Sequence, residues 1–367
     1  LRDADAPTPV SNTSVTTAGG ARVWGNRVRV EGQVTASAFV GDTQAPLADT
    51  SPGLFYDLGI MSARVGSQMN YAGRVSAQMN LLESADLEAS YEVIQPGFRS
   101  VGVSYLRSDQ EIIQLRPRAE LFQGKLRLNA QLAQRRNNLA GDLTSTVRRR
   151  QAGVNAQIRV SQMFFVSSSY NFLINRNQVT SDAQNASDGF RQISQTVSVS
   201  PSLTFQQGAT AHSATLTGSL QTLVDRRAAS TAVGAGFDNY SGTLSYTVGL
   251  PSGTSIGLSG NALISRRATA DLLTTSVNAN VSRGLLDNAL RLNLSGGWSS
   301  NRLQTDPSMM TVTPDNTSQQ YTASTNATYR LSSMGNISFR LRALRSSGSS
   351  GSEFDEIQST LRYEYRF

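Results

Sequence analysis

The sequence predicts an all-β chain: a transmembrane, antiparallel, up-and-down β-barrel of about sixteen strands, with a range of about 14–18. Three observations predict it. Apolar and polar residues alternate with period two. The alternating segments are longer than ordinary strands. The connections between them alternate between short and long.

The alternation is plainest near the end of the chain, where Ile337, Phe339, Leu341 and Ala343 are separated by Ser338, Arg340 and Arg342. Leu290, Leu292, Leu294, Gly296 and Trp298 repeat the pattern, as do Ala152, Val154, Ala156, Ile158 and Val160. Successive side chains of a strand point to opposite faces, so each segment has one apolar and one polar face. The sixteen segments are 28–40, 68–81, 84–93, 110–121, 125–135, 150–160, 164–175, 192–205, 213–224, 239–249, 254–265, 273–283, 289–300, 320–331, 336–345 and 354–367. Strands of soluble proteins run to about 5–6 residues, whereas a tilted strand that crosses a bilayer needs about 9–11. These segments have 10–14.

From residue 82 onward the connections run short, long, short, long. The short ones include 82–83, 122–124, 161–163 and 284–288; the long ones include 94–109, 136–149, 176–191 and 301–319. In a meander this places every short turn at one end and every long loop at the other. Residues 1–20, small, polar and containing Pro and Gly, read as a flexible periplasmic leader, with the barrel over 21–367.

Composition removes other classes. Hydrophobic residues make up 38% and charged residues 16%, against about 45–50% and about 25% in soluble domains. No cysteine is present, which excludes disulfides, zinc-thiolate sites and a cysteine nucleophile, and the single histidine excludes a multi-histidine metal cluster. The expectation is no catalytic residue, no metal and no cofactor. His212 lies in an expected short turn without a nucleophile motif beside it. The net charge of +7 is spread around the pattern rather than along one stripe, which argues against nucleic acid.

The last segment, FDEIQSTLRYEYRF, places Ile357, Leu361, Tyr363, Tyr365 and Phe367 on one face. Together with the alternation and the loop asymmetry, this end resembles the C-terminal assembly signal of bacterial outer-membrane β-barrel proteins. The resemblance covers the pattern from about residue 28 to 367. It implies an outer-membrane location and recognition of Tyr363, Tyr365 and Phe367 by the barrel assembly machinery. A fainter likeness, in YEVIQPGFRSVGVSYLRSD (91–109), is to large cell-surface barrels of Bacteroidota-type bacteria.

Arginine supplies all but one of the basic residues, and its positions fall into two sets. On the long-loop side Arg136, Arg149, Arg226, Arg227, Arg266 and Arg267 form an expected rim, suited to lipopolysaccharide phosphates or to nearby loop acids. Arg29, Arg116, Arg118, Arg127, Arg159, Arg340, Arg342, Arg362 and Arg366 are expected to face a lumen. There they would favour anions or pair with acids such as Glu31 and Glu120 across neighbouring strands. The expected function is a porin-like channel for small polar or anionic solutes. The alternative is an anchoring barrel with a plugged lumen, part of a larger envelope, secretion or surface-filament complex. Expected partners are outer-membrane lipid, lipopolysaccharide and the assembly machinery, with other envelope proteins or copies of the same chain as further candidates.

Overall fold

The computed structural model describes residues 9–99, 108–179, 189–227, 236–267, 270–305, 316–331, 335–349 and 353–365. Among them are seventeen strands and one short helix. The strands are β1 (Ser11–Val23), β2 (Val28–Val40), β3 (Gln68–Leu82), β4 (Ala85–Ile94), β5 (Gln110–Leu121), β6 (Leu126–Asn137), β7 (Ser145–Arg159), β8 (Phe164–Val179) and β9 (Phe190–Gln207). They continue as β10 (Thr210–Arg227), β11 (Phe237–Gly249), β12 (Thr254–Arg267), β13 (Ala270–Leu285), β14 (Leu290–Thr305), β15 (Asn316–Arg330), β16 (Asn336–Gly348) and β17 (Phe354–Glu364). Helix α1 (Leu54–Asp57) lies between β2 and β3.

The chain divides into two compact units, residues 1–154, 171–193 and 226–231 in one and 155–170, 194–225 and 232–367 in the other. In the first, β1 to β6 pair consecutively and antiparallel. In the second, β10 to β17 do the same. The fold is therefore the expected all-β, up-and-down meander, with one strand more than the sixteen segments.

The additional strand is β1. It occupies part of the stretch read from sequence as a leader, since Ser11–Val23 pairs with Val28–Val40 along its whole length. In SNTSVTTAGGARV the apolar face is Val15, Ala21 and Val23 interrupted by Thr17 and Gly19, which hides it from a periodicity argument. Its Thr and Val side chains suit extended backbone, and Thr16 Oγ1 lies 2.9 Å from Thr35 Oγ1 on β2. Residues 1–8 lie outside the described residues.

Register sorts the side chains onto two faces. In the first unit Arg29 stands opposite Gln78, Gln78 opposite Glu88, and Glu88 opposite Arg116. The other face carries Val30, Ala77, Leu87 and Pro117 or their neighbours two along. In the second unit Asn261, Ser276, Ser299 and Gln320 form one continuous row. Leu258, Ala279, Gly296 and Ala323 form a row on the opposite face.

The apolar face is open. Leu216, Leu244, Leu258 and Leu294 are 52%, 57%, 54% and 44% exposed. Among the described residues the second unit buries no apolar side chain, and the first buries only a small group around β2 and the loops beside it. A water-soluble domain of this size would place such residues inside; here they form a surface.

The short turns are tight. Trp24–Asn26, Phe122–Gly124 and Leu286–Asn288 each hold three consecutive residues with positive φ, closed by bonds such as Ala289 N–H to Leu286 O at 2.9 Å. These left-handed turns match the twist of antiparallel strands. They hold Trp24, Phe122 and Leu286 exposed at their tips.

Candidate functional site: the polar face of the sheet

In the first unit the polar face is charged and internally paired. Glu88 on β4 stands between Arg116 and Arg118 of β5, at 3.1 and 4.0 Å. Arg116 also donates to Gln114 at 2.9 Å. Arg118 reaches Asp86 at 3.8 Å, and Arg127 on β6 meets Glu120 at 3.1 Å. Arg29 Nε donates to Glu31 at 2.7 Å. The second role considered for these arginines, pairing across neighbouring strands, is thus the geometry found for Arg116, Arg118 and Arg127. Arg29 pairs along its own strand. Toward the short turns the face opens into a cavity of about 1030 Å³, lined by Arg27, Arg118, Arg127, Asp86, Glu120 and Asn129 among others.

In the second unit the polar face is mostly hydroxyl and amide. Ser169 and Ser198 lie 2.7 Å apart, Ser200 and Thr217 2.9 Å, Ser202 and Thr215 2.9 Å, and Ser219 and Ser241 2.6 Å. Asn261 donates to Thr243 at 2.8 Å, and Thr274 to Asn301 at 2.7 Å. Because each directly opposed pair lies on one face, hydroxyls meet hydroxyls across the ladder.

Toward β16 and β17 charge returns, with Glu356 and Glu364 of β17 on the same face as Arg340, Arg342 and Arg362. Arg340 stands between Asn326 and Thr360, Arg342 between Ser324 and Gln358, and Arg362 opposite Ser338. Among the described residues no acid lies within ion-pair distance of Arg340, Arg342, Arg362 or Arg159. Arg366 lies outside the described residues.

The expected arginine rim divides between the faces. Arg136 and Arg266 fall on the apolar face: Arg136 meets Glu111 at 3.3 Å, and the Arg266 guanidinium sits 5.7 Å from the centre of the Tyr240 ring. Arg266 also stands directly opposite Asp238 and Asp271 on its two neighbouring strands. Arg226, two residues beyond Val224, alternates onto the same face. Arg345 and Asp355, 3.8 Å apart, stand on the apolar face of β16 and β17. Arg267 instead shares the polar face with its partner Phe237, and Arg149 alternates away from Arg150, which bonds Gln134 on the apolar face. Adjacent positions in a strand cannot serve one face, so a rim read from loop proximity alone splits in two. Nothing is described of the Arg227 side chain.

Two long loops fold back on the first unit, onto opposite faces. After β4, the segment 95–99 lies on the polar face. Arg99 O accepts bonds from Ser37 Oγ and from Asn12 Nδ2 at 3.3 Å, and its guanidinium stacks 4.8 Å from the centre of the Phe39 ring. After β2, Phe55 and Tyr56 of α1 pack against Ala38 and Val40 on the apolar face. Neither placement had a periodicity signal in the sequence.

His212 has a structural environment. It stacks on Phe205 with ring centres 4.7 Å apart, and its Nδ1 lies 2.7 Å from Tyr246 Oη. Among the described residues no group of three or more His, Cys, Asp or Glu is placed to hold a metal ion. Tyr363 and Tyr365 have ring centres 6.4 Å apart; Phe367 lies outside the described residues.

Consecutive antiparallel strands with one polar and one open apolar face define a class, the up-and-down β-barrel. No protein-family description matches the sequence, and no curated protein matches it. Among solved structures, the outer-membrane alcaligin receptor FauA of Bordetella pertussis is similar at 10% identity and a TM-score of 0.50. That match covers 98% of this chain and 64% of the receptor. At such identity the likeness is one of fold. OccK9 (OpdG) of Pseudomonas aeruginosa matches at 11% identity over 99% of this chain and 95% of its own, with a TM-score of 0.40. OpdK of the same organism, solved with vanillate, matches at 12% over 97% and 92%, with a TM-score of 0.37.

Proposed function

We propose that the protein is a porin-like channel of the bacterial outer membrane, carrying small polar or anionic solutes. The observation that supports it is the separation of faces. Every consecutively paired strand presents an open apolar side suited to lipid and a polar side suited to water, as a β-barrel wall requires. On this reading Arg29, Arg116, Arg118, Arg127 and Arg159 line the passage together with Arg340, Arg342, Arg362 and Arg366. The start of β1 stands at the long-loop end, where Ser11 is opposite Val40 and Thr43 N–H bonds Pro9 O, so the chain enters β1 from the side opposite to the periplasmic one expected of a leader. Tyr363, Tyr365 and Phe367 act as the assembly signal. Arg136, Arg226 and Arg266, on the apolar face beside the long loops, are placed for lipopolysaccharide phosphate. The chemistry is passive and needs no enzyme site or cofactor.

A narrower passage is favoured by one contact set. The segment 95–99, held on the polar face by Ser37 and Asn12, occupies space that solute would otherwise use. Liposome swelling tests the proposal. Purified protein in liposomes should admit small sugars and amino acids, more slowly as solute size increases. Liposomes that stay osmotically intact would leave the anchoring, plugged barrel as the better reading.

A further inference from the structure

The segment between β2 and β3 does not hang free and does not turn toward the polar face. Its Phe55 and Tyr56 are buried against Ala38 and Val40, with Ala36 and Met69 beside them. These four sheet residues share the apolar face with Val34 and Val75. Two alanines in β2 leave the shallow space that the rings fill. Tyr56 Oη donates to Phe39 O at 3.0 Å and to Gln68 O at 3.2 Å, so the buried phenol is satisfied.

What the segment turns outward is apolar as well. Leu54 and Leu58, one helical turn apart, are 55% and 64% exposed, and Ile60 is 53% exposed. The exposed sheet residues Val34 and Val75 lie on the same face, so apolar surface runs from the sheet onto the segment. Elsewhere the long-loop ends of this face finish in charge, at Glu111 and Arg136, at Asp238, Arg266 and Asp271, and at Arg345 and Asp355. At β2 and β3 they finish in Ala38, Val40 and Met69 under the folded segment.

We propose that residues 41–67 form a lipid-facing collar, with Leu54, Leu58 and Ile60 in contact with the acyl chains of the leaflet on the long-loop side. This rests on the reading that the apolar face meets lipid. Irregular backbone is tolerated at a membrane only where its polar groups are paired. Here Leu58 N–H bonds Leu54 O, Ile60 N–H bonds Phe55 O, Val65 N–H bonds Pro46 O and Ala48 N–H bonds Ala63 O. The segment holds Asp42, Asp49 and Asp57 against Arg64. That balance is the wrong sign for lipid phosphate, so its contact is with chains rather than with anionic headgroups.

The absence of cysteine from the chain makes the test clean. Single variants Leu54→Cys and Leu58→Cys carry a nitroxide label in phosphatidylcholine proteoliposomes. Val34→Cys, on the same face within the sheet, and Gln33→Cys, on the polar face, are the references. Collisions with oxygen, which partitions into lipid, are compared with collisions with a water-soluble nickel chelate. Labels at 54 and 58 should favour oxygen several-fold over the Gln33 reference and fall on the side of the Val34 label. Nickel-favoured collisions at 54 and 58 would overturn the proposal. So would exclusion of both quenchers, which would mean that a second copy of the chain covers the patch. If the Val34 label itself favours nickel, the lipid-facing reading of the sheet fails first.

Discussion

The polar faces of the two units are built from the same alternation but hold themselves together differently. Across β2 to β6 the face is crowded with charge, and its arginines meet acids: Arg116 with Glu88, Arg118 with Asp86, Arg127 with Glu120. Across β8 to β13 it is almost uncharged, and pairs such as Ser200 and Thr217 bond across the ladder. Charge returns at β16 and β17, where Arg340, Arg342 and Arg362 share the face with Glu356 and Glu364 but form no ion pair with them. Formal charge is therefore a poor guide to the local field. Arg116, Arg118 and Arg127 are held in ion pairs, whereas Arg340, Arg342 and Arg362 lie outside ion-pair distance of Glu356 and Glu364, which share their face, and so contribute more to the local potential.

The largest expected effect comes from removing the three arginines that stand outside ion pairs. Arg340→Gln, Arg342→Gln and Arg362→Gln together should lower the preference for anions over cations several-fold, read as a shift in reversal potential. Replacing the ion pair Arg116–Glu88 by two glutamines should move it far less, because the pair carries no net charge. An equal response from both sectors would break the contrast.

The second effect is on stability. Glu88→Gln strips the charge from a carboxylate flanked by two guanidiniums. Both partners are partly exposed, so solvent screening holds the expected loss to about 1 kcal/mol. The denaturant midpoint of the folded protein in detergent checks this, and high salt should reduce the difference. The smallest effect is at the hydroxyl ladder. Ser200→Ala removes one neutral bond among several, at a cost of about 0.5–1 kcal/mol that salt should leave unchanged. Salt sensitivity thus separates the two kinds of wall.

Much of this architecture was legible in the sequence, and the misses have physical causes. Strands β2 and β5 begin and end where the alternation does, at 28–40 and 110–121. Strands β7, β14 and β15 run on by four or five residues at their long-loop ends, through STVRR, NRLQT and NTSQ, where both faces are mostly polar and period two has little contrast to show. β1 was hidden because Thr17 and Gly19 break the weak apolar face of Val15, Ala21 and Val23. The faces of Arg116 and Arg340 could be read from parity; their partners could not, because only register puts Glu88 opposite one and Asn326 opposite the other. The split of Arg266 from Arg267 follows from parity too, but was masked by reading both as loop-end residues. The opposite folding of 95–99 and of Phe55 and Tyr56 depends on contacts far apart in sequence, such as Arg99 with Ser37.

On the proposed reading, the polar face borders water through which solute moves, and its excess of arginine sets the sign of what passes. Purified protein in a planar bilayer under a potassium chloride gradient tests both parts at once. The prediction is stepwise conductance with a reversal potential displaced toward that of chloride. A bilayer that stays silent, or a reversal potential displaced toward that of potassium, would contradict it.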